Sequence, residues 1–192
     1  MTKTWLISDT HFGQEKAWST FKWPGDDSRP LRPFTSTEEM DECMVDRWNS
    51  VVKPDDRIYH LGDITMNRKN LPILHRLNGR KKLIRGNHDL WNLDDFIPYF
   101  DDVLGTHKLG NHILSHIPIH KGSLARWMAG NIHGQIDGNI HGHLHANRVM
   151  KVWGDKETKE IDPMYYCVSV ENIDYTPIEY AQVEALMAKE NK

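Results

Sequence analysis

"TWLISDTHFG", residues 4–13, reads as a buried strand over 4–8 that ends on Asp9, with His11 two residues further on. Two more stretches repeat the device. "RIYHLGD" (57–63) is a strand running into Gly62-Asp63. "KKLIRGNHD" (81–89) is a strand that ends in a turn at Gly86 and delivers Asn87, His88 and Asp89. Sites in α/β sheets form outside the carboxyl ends of strands. Polar residues repeated at three strand ends are therefore expected to converge on one rim.

The segments between and beyond these strands set the class. "STEEMDECMVDRWNSVV" (36–52) reads as a helix: Ser36 with Glu39 makes a capping box, and Met40, Cys43, Met44, Trp48 and Val51 share a face. "KNLPILHRLNG" (69–79) reads as a helix stopped by Gly79, and "NLDDFIPYF" (92–100) as a short one. Hairpins are expected at 102–116, turning at Gly110-Asn111 and ending near His116, and at 148–161 around Gly154-Asp155. "YYCVSV" (165–170) is a strand. "TPIEYAQVEALMAKE" closes the chain as a helix capped by Thr176, with Pro177 at its first position and Glu179 completing the box. Residues 12–34 read as a long irregular loop carrying Trp18, Phe21, Trp23 and Phe34. Strand–helix alternation followed by hairpins implies a layered α/β protein whose sheets are not purely parallel, and 192 residues suit a single domain over 1–192.

Composition removes several classes. A 39% apolar and 27% charged chain is that of an ordinary globular protein. A net charge of −3 provides no global basic field for nucleic acid. Cys43 and Cys167 form no CxxC pair, which argues against a disulfide framework or a thiolate zinc site. The N-terminal apolar run is too short for a signal peptide, and no stretch is long enough to span a membrane, so a cytoplasmic protein is expected.

Twelve histidines are the compositional oddity, and four of them fall in "NIHGQIDGNIHGHLH", residues 131–145. Each fragment has an ordinary reading by itself. An Asp after a strand is commonly a turn or cap residue, and a lone His is more often a surface or hydrogen-bonded core group than a ligand. The ordered set is another matter: D-x-H, G-D, G-N-H-D, H, then G-H-x-H, all at strand ends. Carboxylate and imidazole without thiolate suit Mn²⁺, Fe, Zn²⁺ or Ni²⁺ in a hydrolytic site. Asp9-x-His11 and His143-x-His145 each put two side chains on one side of an extended backbone.

The set Asp9-Thr10-His11, Gly62-Asp63, Gly86-Asn87-His88-Asp89, His116 and Gly142-His143-Leu144-His145 resembles the calcineurin-like metallophosphoesterase superfamily. The stretches "SDTHFG", "RPF", "WNSVVKPDDRIYHLGD", "LIRGNHD" and "DYTPI" look like a small, single-domain branch of it. The resemblance implies a β-sandwich core of mixed sheets flanked by helices, and two divalent metal ions, Mn²⁺ first among them. Asp9, His11 and His145 would hold one metal and Asn87, His116 and His143 the other, with Asp63 bridging. A bridging hydroxide would be the nucleophile, and His88 the general acid. His141 is expected to be structural or to support a ligand, and His133 to be structural or substrate-facing. His60, His75, His107, His112 and His120 carry no assigned role.

The implied activity is hydrolysis of a phosphodiester or phosphomonoester on a small phosphorylated or nucleotide substrate. A catalytically silent scaffold of the same fold would be expected to lack ligands or the acid, and every position is filled here. The protein-phosphatase branch carries Asp-Arg where this chain has Met66 and Asn67, which weakens a phosphoprotein substrate. Arg76, Arg80, Lys81, Lys82 and Arg85 admit a nuclease, but such residues are ordinarily solvated strand and helix ends, and a nuclease usually has a broader basic surface. Residues 12–34 are expected to act as a lid, with Arg32 of "RPF" reaching a phosphate oxygen. Oligomeric state is not legible.

Overall fold

A computed structural model of the chain describes residues 2–124, 136–153 and 156–190. The order is β1 (Thr4–Ile7), α1 (Lys16–Ser19), β2 (Lys22–Trp23), β3 (Asp26–Pro30), α2 (Thr37–Val51), β4 (Arg57–His60), β5 (Arg80–Ile84), α3 (Leu93–Phe96), β6 (Asp102–Leu104), β7 (Thr106–Leu109), β8 (His112–Ser115), β9 (Gly138–His141), β10 (Met150–Trp153), β11 (Lys156–Ile161), β12 (Tyr165–Cys167), β13 (Ile178–Glu179) and α4 (Tyr180–Glu190). The first sheet runs β13-β1-β4-β5-β6 and the second β12-β9-β8-β7; β2-β3 and β10-β11 are separate pairs.

Strand alternation sorts the core into layers. Trp5, Ile7, Ile58 and Leu83 share a cluster with Met40, Met44, Val45 and Trp48 of α2. Their neighbours Leu6, Tyr59 and Ile84 point the other way and meet Leu114 and Ile140 of the second sheet, with Val183 and Met187 of α4. Ile113 and Tyr165 face out from the second sheet into a third cluster. The result is a mixed α/β protein in which helix, sheet and sheet are stacked. Each fully buried Met, Val or Trp on α2 contributes about 1.5–3 kcal/mol. Among the described residues no helix is long and apolar enough to cross a membrane.

The first sheet is parallel from β1 through β4 and β5 to β6, so the carboxyl ends of β1, β4 and β5 lie side by side. In the second sheet β8, β9 and β12 are parallel and β7 pairs antiparallel to β8. The sheets touch where these ends meet: Ser8, just past β1, bridges to Ser169, just past β12.

Several local expectations are corrected. Residues 12–34 are not irregular, because α1 and the β2–β3 hairpin fall within them. Residues 68–76 form a 3₁₀ segment rather than an α-helix; Pro72 inside it lacks the N–H an α-helix would use. The final helix starts at Tyr180, not at Thr176, because Ile178 and Glu179 pair with the open edge of β1 and Glu179 accepts Lys3 Nζ at 2.6 Å. Ser36 does cap α2 by accepting the Glu39 amide, but the Glu39 carboxylate returns to Thr35 instead of Ser36. The hairpin at 106–115 and the one at 150–161 are present, though Gly154-Asp155 lies outside the described residues.

Candidate metal centre

Every residue singled out as a ligand follows a strand end at this junction. Backbone conformation marks the place. Among the described residues, seven non-glycine positions have positive φ, and five of them are Asp9 (56°), His11 (46°), Asp63 (58°), His143 (68°) and His145 (52°). Each costs roughly 1–2 kcal/mol for an L-residue. Such conformations persist where the surroundings over-determine them, and they cluster at functional sites. The bonds that hold them are visible for Asp9, His11, Asp63 and His143, while the His145 carbonyl accepts Asn172 Nδ2. Asp9 N donates to Gly62 O and His11 N to Asp63 O; Gly142 N donates to His116 O. His143 N donates to both oxygens of Asp9, at 3.1 and 3.0 Å.

Two groups of side chains result. Asp9, His11 and His145 each bring a donor atom within 4.8 Å of the others, and so do Asp63, His116 and His143. Asn87 Oδ1 lies 2.9 Å from both His116 Nε2 and His143 Nδ1, which adds it to the second group. Asp63 Oδ2 is 3.3 Å from His116 Nε2 and 3.7 Å from His11 Nε2, so one carboxylate oxygen stands between the groups. His88 Nε2 is 3.9 Å from the same oxygen, on a side chain 43% exposed.

The carboxylates are fixed from behind. Asp9 Oδ2 accepts Ser8 Oγ at 2.6 Å and Ser169 Oγ at 2.8 Å. Asp63 Oδ1 accepts His88 N at 2.9 Å. Buried Asp89 ties two loops together by accepting the amides of Asp63, Ile64 and Gly86. Two glycines are required by close approach. A Cβ on Gly86 would lie 2.2 Å from Asp63 Oδ1, and one on Gly142 would lie 2.5 Å from Asp9 Oδ2.

The charges of the metal-free site follow. Burial lifts the Asp9 carboxyl above the usual carboxylate range, against the pull of His145 and His116. Burial also works to raise Asp63, but the His116 hydrogen bond and charge outweigh it and hold the carboxyl at about 2. Burial lowers His116 and His145, but Asp63 and Glu171 respectively overcome it, and both imidazoles end above 6.5. Burial, reinforced by Arg32, holds His11 well below 6.5. Cys167 lies close behind, with Sγ 3.1 Å from Ser169 Oγ, but burial pushes its thiol up to about 11, so it offers no thiolate. Oxygen and imidazole donors at buried, pre-kinked positions form a set that fits borderline-hard divalent cations.

His141 is buried outside both groups, with Nδ1 donating to Gly142 O at 2.7 Å. His133 lies outside the described residues. His60 proves to brace the site: Nε2 sits 2.9 Å from Thr10 Oγ1, and Nδ1 accepts the Gly62 amide. Phe34 is half-buried, its ring 5.0 Å from that of Tyr175. Trp18 and Trp23 are both half-buried, and Arg29 stacks on Trp23.

Arg32 corrects the lid expectation. It is 0% exposed, and its guanidinium donates to Asp9 O at 2.6 Å, Thr10 O at 2.8 Å and Glu171 Oε1 at 2.8 Å. The "RPF" turn carries it under the site, not over it, so it presents nothing to a phosphate. Glu171 was missed altogether. It accepts His145 Nδ1 at 3.1 Å, yet it stands 26 residues beyond His145 in no motif, so only the fold reveals it.

The basic residues that admitted a nuclease are engaged. Arg76 pairs with Glu42, Arg80 with Asp101 and Lys82 with Asp102. Lys81 donates to the carbonyls of Leu77 and Gly79, and Arg85 to those of Asp89 and Trp91. A depression of about 380 Å³ opens beside Asn87 and His116, walled by Arg85, Thr106, Ile117 and Pro118.

No family model matches the chain. It is 39% identical over 93 residues to an uncharacterized protein of Methanocaldococcus jannaschii, a match covering 46% of this chain and 48% of that one. It is 35% identical over 95 residues to the gene 66 protein of Mycobacterium phage L5, covering 46% and 41%. The gene 66 protein of Mycobacterium phage D29 is 28% identical over 141 residues, covering 62% of this chain and 65% of that one. The chain thus matches about half the length of the first two curated relatives. Among solved structures, a protein of unknown function from Aquifex aeolicus is similar to it over 97% of this chain and 100% of that one, with a TM-score of 0.66 and 26% identity. The α/β architecture is shared with that protein.

Proposed function

We propose that the chain is a metal-dependent phosphoesterase of the calcineurin-like kind, with a metallophosphoesterase-type sandwich and two divalent cations. One observation supports this above the others: seven residues picked from separate motifs meet in two donor groups that share Asp63 Oδ2. Asp9, His11 and His145 would hold one cation and Asn87, His116 and His143 the other, with Asp63 between them. Two cations held there supply charge neutralisation at the phosphoryl oxygens and a water acidic enough to attack at neutral pH.

The chain's own groups do the rest. Hydrolysis joins the water oxygen to phosphorus, breaks the bond to the leaving oxygen and returns a proton to it. His88 stands at the exposed rim, 3.9 Å from Asp63 Oδ2 and outside both donor groups, and supplies that proton. Such an acid contributes about 10²–10⁴-fold. The depression beside Asn87 and His116 has room for a small leaving group. Since the basic side chains upstream are spent on carboxylates and carbonyls, the reading favours a small phosphoester or nucleotide over nucleic acid.

The test is hydrolysis of bis-p-nitrophenyl phosphate, which should vanish with chelator and return with Mn²⁺. His88→Ala should keep its metal content and lose far more rate on an alkyl phosphoester than on the nitrophenyl ester, whose leaving group departs without a proton. Inactivity across several metals and ester classes, with two equivalents bound, would overturn the enzyme reading in favour of a silent scaffold.

A further inference from the structure

The two donor groups are supported differently. Asp63, Asn87, His116 and His143 are held by backbone and by one another: Leu61 O accepts His116 Nδ1 at 2.7 Å, and the His88 amide reaches Asp63. Asp9, His11 and His145 rest in addition on a charged pair, beyond the serine hydroxyls and the His143 amide that hold the Asp9 carboxylate. Arg32 and Glu171 have side chains excluded from solvent and meet at 2.8 Å. From that pair, Arg32 reaches the carbonyls of Asp9 and Thr10, which flank the turn between two ligands, and Glu171 reaches the third ligand, His145.

We propose that Glu171, locked by Arg32, is the positioning residue for the Asp9–His11–His145 site: it fixes the proton of His145 on Nδ1 and leaves Nε2 to bind metal, while Arg32 holds the Asp9–Thr10 turn. This rests on the metal-centre reading above. A buried ion pair contributes little net stability, because desolvating both charges offsets their attraction. Its geometry gives it another use. A carboxylate behind a ligating imidazole sets the tautomer, orients the ring and makes the other nitrogen a better donor. The planar fork of Arg32 spans two successive carbonyls and the carboxylate together, which a lysine ammonium cannot do. Glu171 is thereby neither a metal ligand nor in contact with substrate, and it acts on one site of the two.

The experiment uses Zn²⁺ alone and the full chain. Competition with a chromophoric chelator should show two equivalents in the wild type. In Glu171→Gln, which keeps the shape and loses the charge, one equivalent should weaken by about 10–100-fold while the other keeps its affinity. In the Zn²⁺-loaded wild type, long-range proton–nitrogen correlation should show His145 protonated at Nδ1 with a slowly exchanging proton. That resonance should move upfield and exchange faster in the variant. Two unchanged equivalents in Glu171→Gln, equal weakening of both, or a wild-type His145 protonated at Nε2 would each overturn the assignment; the last needs no variant to fold. A wild type that takes up no Zn²⁺ would instead overturn the metal-centre reading, and this inference with it.

Discussion

The two sheets bring different chemistry to their shared rim. The first sheet's strand ends supply both carboxylates, the amide of Asn87, His11 and His88; the second supplies only imidazoles, His116, His143 and His145. Neither owns a complete donor group. Asp9 and His11 need His145, and Asp63 and Asn87 need His116 and His143. Whatever separates the sheets at their junction must therefore dismantle both groups, whereas damage within one sheet is graded by how many groups the lost atom serves.

The largest effect should come from Asp63, because its Oδ2 faces both groups. Asp63→Ala should lose both metal equivalents and several kcal/mol of transition-state stabilisation, about 10³-fold or more in kcat/KM. His143→Ala, confined to one group, should lose one equivalent. Elemental analysis after gel filtration decides it. Equal stoichiometry in the two variants would mean that the carboxylate is not shared, and the contrast between the sheets would lose its centre.

Gly142→Ala tests the junction. Its Cβ would lie 2.5 Å from both Asp9 Oδ2 and Ser8 Oγ, atoms of the other sheet. Overpacking of this kind costs about 1–3 kcal/mol, and the Asp9 carboxylate must move with it. Gly105→Ala meets nothing within 4 Å and should stay within about 0.5 kcal/mol. Urea midpoints and metal titration of the pair should diverge together. A stable Gly142→Ala that binds two equivalents would show that the sheets are free to adjust at this contact.

How much of this was legible depended on which sheet is asked. Asp9, His11, Asp63 and Asn87 follow strands that announce themselves as short apolar runs, so their convergence could be read from the chain. His143 and His145 needed the x-His context to be separated from His141. Glu171 left no signal, since its place beside His145 comes from Ser8–Ser169 pairing, which brings 169–171 under β1. Arg32 was misread for the same reason: a surface-like "RPF" says nothing of the buried carboxylate awaiting it. The β1–β13 pairing was hidden too, because two residues that satisfy an open sheet edge look like the first turn of the following helix.

Each sheet also carries a histidine buried in neutral form. Burial holds His60, on β4, at about 3 and His141, on β9, at about 4. An unfolded histidine takes up a proton near 6.5. Between 6.5 and these values the unfolded chain binds more protons, so stability is present above 6.5 and falls with acidification. The slope is about 1.4 kcal/mol per pH unit for each group. Asp41 acts in the opposite sense, since burial raises its carboxyl to about 6. The clean observable is therefore a difference. His60→Gln should flatten the stability curve of the metal-free protein by about that slope between pH 6 and 4, read from urea midpoints. Parallel curves would show that His60 is not held neutral.

The smallest effect is expected where the first sheet is most basic. Arg80 and Lys82 sit at the amino end of β5, paired across to Asp101 and Asp102 at 3.1 and 2.8 Å. The turn at Gly86-Asn87 leaves the other end of the strand, and six residues of extended chain separate Arg80 from Gly86 by roughly 20 Å. Charges so placed and so paired cannot reach an ester at the rim. Exposed pairs of this type contribute about 0–1 kcal/mol each. The double variant Arg80→Ala with Lys82→Ala should keep its metals and its kcat/KM on a small phosphodiester, and should lose little stability. If a single-stranded polynucleotide were the substrate and tracked along this strand, removing two phosphate contacts would reduce the logarithmic salt dependence of its binding by about 1.4. A single-stranded oligonucleotide titrated at several salt concentrations separates the cases. An unchanged slope leaves the basic strand as a solvated sheet end, and a fall of that size would move the substrate from a small ester to nucleic acid.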